Sequence, residues 1–158
     1  MGGTTLIEAD DKITEGKIGI VASQFNRFIV DRLLDACLST LGSAGISDAD
    51  VIIVRVPGAF ELPVAAQRLI THGNCDAVIA LGAIIRGETP HFDYIASECS
   101  HGLAQVALAH EKPVIFGVLT VDNSEQALDR AGSEESNKGA EAARAAIEMV
   151  SVLRKIKT

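Results

Sequence analysis

The stretch Ala77-Val78-Ile79-Ala80-Leu81-Gly82-Ala83-Ile84-Ile85-Arg86-Gly87-Glu88-Thr89-Pro90-His91-Phe92-Asp93-Tyr94 decides the architecture. Residues 77–83 are continuously apolar, with no polar position alternating in. A strand with one wet face alternates. An unbroken run needs cover on both faces, which is the situation inside a parallel sheet. A glycine-bearing loop follows. Thr89 then suits a helix cap, with Pro90 as the first helical residue.

The same pattern repeats on either side. Residues 18–22, 50–56 and 113–119 read as further strands of this covered type, the second stopped by Pro57-Gly58. Helical spacing separates them. Ile29, Leu33, Leu34, Cys37 and Leu41 share one helix face, with Gly42 and Gly45 as exits. Residues 62–70 form a second helix ending near His72-Gly73, and residues 90–110 a long third. A short helix opens near Asp122-Asn123-Ser124-Glu125, where Asp122 and Glu125 have capping-box spacing. The last helix spans residues 137–155. Strands alternating with helices imply right-handed crossovers with helices on both faces. The expectation is an α/β chain, a three-layer α/β/α sandwich on a parallel sheet of about four strands.

At 158 residues the chain suits one domain over residues 1–158. Residues 4–8 have strand character but are set off by Asp10-Asp11-Lys12, so residues 1–15 read as a segment pairing elsewhere, on a neighbouring subunit. A charged fraction of 22 % with 47 % apolar residues excludes a disordered chain. A net charge of −7 argues against a nucleic-acid footprint, which needs a basic stripe. The one basic cluster, Arg154, Lys155 and Lys157, would complement the carboxyl end of the last helix. Cys37, Cys75 and Cys99 are odd in number and scattered, suggesting neither a disulfide framework nor a zinc site. No membrane span and no secretory leader is visible, so a reducing, cytoplasmic setting is expected.

Ligands of open parallel sheets bind outside the carboxyl ends of the strands. That rule selects Ser23-Gln24-Phe25-Asn26, Pro57-Gly58-Ala59-Phe60-Glu61, residues 84–91 and residues 120–125. The helix start at Thr89-Pro90, with Gly87 allowing close approach, offers unpaired main-chain N–H groups as an anion site, to which Arg86 adds positive charge. His91 falls in the first helical turn, where the positive helix end favours the neutral ring. It is either a proton shuttle or an idle surface histidine. Phe25 either stacks on a flat heterocycle or closes over the helix packing. Glu61 either favours a helix start or accepts hydrogens from a polyol. Arg130 and Lys138 flank Glu134-Glu135, as surface ion pairs or as phosphate-binding groups. There is neither a P-loop nor a dinucleotide glycine motif after the first strand.

These segments resemble the lumazine synthase family. The resemblance is carried by Phe25-Asn26, Val56-Pro57-Gly58-Ala59-Phe60-Glu61-Leu62-Pro63 and the Ala80 to Tyr94 run. Gly117-Val118-Leu119-Thr120, Glu125-Gln126-Ala127 with Arg130-Ala131-Gly132, and Asn137-Lys138-Gly139-Ala140-Glu141-Ala142-Ala143 continue it in order. The resemblance implies a flavodoxin-like fold and a transferase of riboflavin biosynthesis, making 6,7-dimethyl-8-ribityllumazine with no metal or organic cofactor. Its small-molecule substrates would be 5-amino-6-(D-ribitylamino)uracil and 3,4-dihydroxy-2-butanone 4-phosphate.

By position, Phe25 would stack on the pyrimidine with Asn26 nearby, and Ala59, Phe60 and Glu61 would hold the ribityl chain. Ala83, Ile84 and Ile85 would meet the pyrimidine through their backbone. Gly87, Glu88 and Thr89 would line the phosphate site, Arg130 would pair with the phosphate, and Lys138 would supply charge nearby. His91 would be the proton donor and acceptor, and Phe116 would enter from the adjoining subunit. The resemblance also implies a homopentamer, with an icosahedral capsid in some members and riboflavin synthase as a candidate partner. Two features depart from the family: Gln24 stands where many members have Arg, and Ser133-Glu134-Glu135-Ser136 is an acidic turn where capsid formers carry Lys and Gly. A non-catalytic flavin- or lumazine-binding module of the same fold is the alternative reading.

Overall fold

The computed structural model describes residues 2–133 and 135–156. Its strands are β1 (Ile18–Ser23), β2 (Val51–Val56), β3 (Ala77–Ile85) and β4 (Val114–Val121). All pair in parallel, in the order β2-β1-β3-β4. The α-helices are α1 (Arg27–Ser43), α2 (Leu62–His72), α3 (His91–His110), α4 (Ser124–Arg130) and α5 (Lys138–Lys155). Ile29 and Leu33 of α1, Ala127 of α4 and Ile147 of α5 cover one sheet face with Ile20, Ile79 and Leu119. Leu62 of α2 and Cys99 and Leu103 of α3 cover the other with Val21, Ala80 and Val118. The chain thus forms the expected three-layer sandwich.

The unbroken apolar runs mean different things in different strands. β1 is buried at every residue and β3 at all but its last, as the two inner strands require. β2 and β4 were also expected to be covered on both faces. They are edge strands and stay partly open, Ile53 and Phe116 each keeping 44 % of their surface. An apolar run states a need for cover but not what supplies it, and one chain covers only its central strands.

β3 and β4 also run two residues further than their apolar patterns suggest. Their ladder continues to Ile85 opposite Val121, whereas the β1–β3 ladder stops at Leu81. Residues 83–85 therefore project past β1, which ends at Ser23, at the rim of the sheet.

Helix starts shift slightly from their sequence signals. α3 begins at His91 with Pro90 in the cap position. Thr89 Oγ1 accepts only a long 3.4 Å bond from the His91 N–H. The cap of α4 is Asn123, whose side chain accepts from Gln126 N at 2.9 Å, while Gln126 Oε1 accepts from Asp122 N at 2.8 Å. The Asn123/Gln126 cap lies one residue beyond the expected Asp122/Glu125 pair. Asn137 caps α5, its Oδ1 accepting from Gly139 N at 2.7 Å. Gly45 ends the α1 segment at φ 103, where a Cβ would stand 2.6 Å from the Ile13 carbonyl oxygen.

Arg154 and Lys155 stand in the last turn of α5, as expected, and also reach the amino-terminal segment. Arg154 Nη1 donates to Glu15 O at 2.7 Å and Nη2 lies 3.7 Å from Asp76. Lys155 Nζ donates to Glu8 O at 2.7 Å and to Asp10 Oδ1 at 2.9 Å. These cations hold the amino-terminal segment against α5; Lys157 lies outside the described residues. Residues 4–8 form no strand within the chain, and Leu6 is 77 % exposed. Among the described residues, no helix is long and apolar enough to cross a membrane.

Candidate active site

The sheet changes direction between β1 and β3, since β1 leads outward to β2 and β3 leads outward to β4. Chains diverge at such a point and leave a crevice at the carboxyl rim. A cleft of about 500 Å³ opens there, lined from the corners after β1, β2 and β3 and from the first turns of α3.

The β1 corner supplies Phe25 and Asn26. Gln24 N donates to Val56 O at 2.7 Å and Phe25 N to Pro57 O at 3.0 Å, so the β1 and β2 exits are fastened together. Phe25 keeps 73 % of its surface. That exposure fits an open ring face and not a lid over the helix packing. Asn26 adopts left-handed backbone at φ 58, and its side-chain amide donates to Ala83 O at 2.8 Å. Beneath the corner, Arg55 Nη1 donates to Ser23 O at 3.4 Å and the same guanidinium pairs with Asp31. The Arg55 hydrogen bond holds the Asp31 carboxyl below its ordinary range, with desolvation opposing.

The β2 exit supplies Gly58, Ala59, Phe60 and Glu61 through a short 3-10 turn. Phe60 is 57 % exposed. Glu61 Oε1 accepts from Gly58 N at 2.9 Å, so one carboxylate oxygen shapes the turn while the residue still lines the cleft. Both of its expected roles are compatible with that position.

The projecting end of β3 supplies Ala83, Ile84 and Ile85, and the following loop supplies Gly87 and Thr89. No atom lies within 4 Å of the point a Cβ would occupy on Gly87. His91 lines the cleft from the first residue of α3. Glu88 is exposed and lies outside the cleft wall. Gly58, from an expected rim segment, lines it too, as do Phe92 and Ile95, which were not among the expected site residues. Ile95 stands one helical turn beyond His91, a spacing that pointed to it.

Arg130, Lys138 and Phe116 lie elsewhere. They border a separate groove of about 340 Å³ along β4 and α5, and none of its wall residues borders the cleft. Arg130 Nη1 donates to Gln126 O at 3.1 Å. Lys138 Nζ pairs with Glu141 at 3.1 Å; Glu134 of the acidic turn lies outside the described residues. One chain therefore brings the aromatic, polyol and loop residues together with His91 but leaves the expected phosphate cations apart.

Arg86 departs from expectation more sharply. It was assigned to the charge of the anion loop, yet its side chain turns away from the cleft. Nε lies 3.1 Å from Asp122 Oδ1 and Nη1 lies 3.5 Å from Asp93 Oδ1. Its Cζ stands 4.3 Å from the centre of the Phe92 ring. Two carboxylates balance this cation, so it contributes little field to the loop.

An open parallel α/β/α sheet with a cleft at the switch point of its carboxyl rim belongs to the doubly wound class, whose members bind small ligands at that place. The family within that class follows from the sequence as a whole. The 6,7-dimethyl-8-ribityllumazine synthase family model matches residues 15–154, and the chain belongs to that family of riboflavin-biosynthesis transferases.

Proposed function

We propose that the chain condenses 5-amino-6-(D-ribitylamino)uracil with 3,4-dihydroxy-2-butanone 4-phosphate, releasing phosphate and water, at a site built between neighbouring copies. Phe25 stacks on the pyrimidine with Asn26 beside it, and the backbone of Ala83, Ile84 and Ile85 reads its edge. Ala59, Phe60 and Glu61 hold the ribityl chain. Gly87, Glu88 and Thr89 surround the phosphate, largely through main-chain N–H groups. Arg130 pairs with the phosphate from the adjoining copy, with Lys138 and Phe116 beside it.

The observation that carries the shared-site reading is the separation of cleft and groove. The cleft holds His91 and an open stacking ring without Arg130, and the groove holds Arg130, Lys138 and an exposed Phe116 on edge strand β4. Two half-sites on one chain make whole sites when copies meet in a closed ring. A homopentamer satisfies that requirement, with the icosahedral shell as a further assembly and riboflavin synthase as a candidate enclosed partner. Residues 4–8, which form no strand within the chain, and the exposed Ile53 on edge strand β2 support strand pairing across the same contact. The cytoplasm is the compartment proposed for this chemistry.

In the reaction the pyrimidine amine attacks the ketone, an imine forms with loss of one water, phosphate departs by elimination, and the ring closes with loss of a second water. His91 accepts and returns protons in these steps. Most of the acceleration comes from holding two substrates in register, for which effective molarities reach ~10⁵ M or more. A general acid–base group adds about 10²-fold.

The test is complementation. His91→Ala and Arg130→Ala chains are assayed alone, then dissociated, mixed in equal amounts and reassembled. A shared site regains roughly a quarter of wild-type activity, because random pairing rebuilds that share of intact interfaces. Reassembled wild type that recovers while the mixture stays inactive would place both residues in one copy's site and end this reading.

A further inference from the structure

We infer that Arg86 is a positioning residue for the phosphate loop, acting through Phe92, Asp93 and Asp122 and not by adding its charge to the anion site. The inference rests on the proposed reaction, in which residues 87–89 present N–H groups to the phosphate of the four-carbon substrate.

The loop has little to hold it. Residues 86–91 are exposed, and the bond from His91 N to Thr89 Oγ1 is long at 3.4 Å. A binding loop must nevertheless keep its donors in place, since misplacing a binding group by about 1 Å costs up to ~10²-fold.

Arg86 fixes both ends of this loop. Upstream, Arg86 N donates to Val121 O at 2.8 Å, extending the β3–β4 connection by one residue. Downstream, its guanidinium pairs with Asp93 in the first turn of α3 and lies over the ring of Phe92. The third contact, with Asp122, ties that helix start to the corner from which α4 departs.

Phe92 transmits the effect to the cleft. The residue is buried, borders the cleft beside His91, and also borders the cavity containing Arg86 and Phe116. Displacement of the guanidinium frees the Phe92 ring and, with it, the turn carrying His91. A planar guanidinium can stack on a ring while two of its nitrogens face different carboxylates. An ammonium cannot make that arrangement. Ion pairs as exposed as these contribute little to global stability, so the effect belongs to the loop and not to the fold.

The test compares Arg86→Ala and Arg86→Lys with wild type. Readouts are KM for each substrate, kcat, the thermal midpoint and the Kd of inorganic phosphate by calorimetry. We expect Arg86→Ala to raise the KM of the four-carbon phosphate and the phosphate Kd on the order of tenfold, within the cost of a misplaced binding group. The KM of the pyrimidine and the thermal midpoint should stay near wild type. Arg86→Lys should keep most of the defect, because it restores charge without the planar fork.

Full rescue by lysine would assign the effect to charge and overturn the inference. Equal loss for both substrates with a lowered midpoint would do the same, by making Arg86 a general structural residue. Unchanged phosphate binding in Arg86→Ala would also overturn it. The calorimetric arm needs no turnover, so wild type that binds phosphate but makes no lumazine removes the proposed reaction and leaves the positioning claim to be read from phosphate Kd.

Discussion

The side-chain amide of Asn26 donates to the main-chain oxygen of Ala83 across 2.8 Å, joining the corner after β1 to the projecting end of β3. The bond crosses the sheet's switch point, beneath the ring that Phe25 presents. It depends on left-handed backbone at Asn26, a conformation that asparagine tolerates better than most residues. A fold feature and a site feature meet in one hydrogen bond.

Two substitutions separate its components. Asn26→Gly keeps the backbone and loses the bond, at a cost of about 1 kcal/mol. Asn26→Ala loses the bond and adds left-handed strain, about 1 kcal/mol more. Urea unfolding measures both. Equal loss in the two variants would show that backbone conformation contributes nothing here.

Gly139 marks the closest approach of α5 to α1. A Cβ there would stand 2.0 Å from the Leu33 carbonyl oxygen, a backbone atom that cannot swing aside. Helix propensity favours Gly139→Ala by up to ~1 kcal/mol. Overpacking of this kind costs about 1–3 kcal/mol or more, so the clash should win and the thermal midpoint should fall. A variant as stable as wild type would refute this packing.

The Asp31–Arg55 pair predicts an acid limb. Arg55 lowers the folded-state value of the Asp31 carboxyl, so the unfolded chain binds the proton more readily. The pair's contribution is therefore complete above the unfolded value, near 4, and lost as pH falls through the depressed folded value. Asp31 is partly exposed, so the pH-dependent part should stay below ~1 kcal/mol. Comparing Arg55→Met with wild type by urea unfolding between pH 2 and 6 should show the gap narrowing at the acid end. A gap independent of pH would assign it to the Ser23 contact and to packing.

All three cysteine thiols are buried. Burial pushes the Cys37 thiol up to about 12 and that of Cys99 to about 11, and raises Cys75 as well. Thiolate is the reacting form, so a disulfide reagent at neutral pH should label none of them in the native protein. All should react in guanidinium chloride. Rapid native labelling of Cys37 would contradict the packing of α1.

The sheet was legible because β1 and β3 carry their requirement for two-sided cover in every residue. Helix α5 was legible through Asn137 and its apolar spacing. The exposure of Ile53 and Phe116 was not, because an apolar strand reads alike whether its own chain or a second copy covers it. The cleft residues were legible as rim segments following strands. Their separation from Arg130 depends on the path of α4 and α5 relative to β4, which no local signal encodes. Arg86 was misread because its neighbours in sequence are the anion loop, while its partner Asp122 comes from the far side of β4. Phe92 was not singled out, because nothing in its local sequence reveals that it borders two cavities.

The most direct measurement mixes the two substrates with purified protein, follows absorbance and identifies the product by chromatography. The account predicts 6,7-dimethyl-8-ribityllumazine forming well above the spontaneous rate, slowed about 10²-fold by His91→Ala with little loss of product binding. A rate no faster than the spontaneous condensation, with the lumazine still bound tightly, would contradict it and leave a binding module in the place of an enzyme.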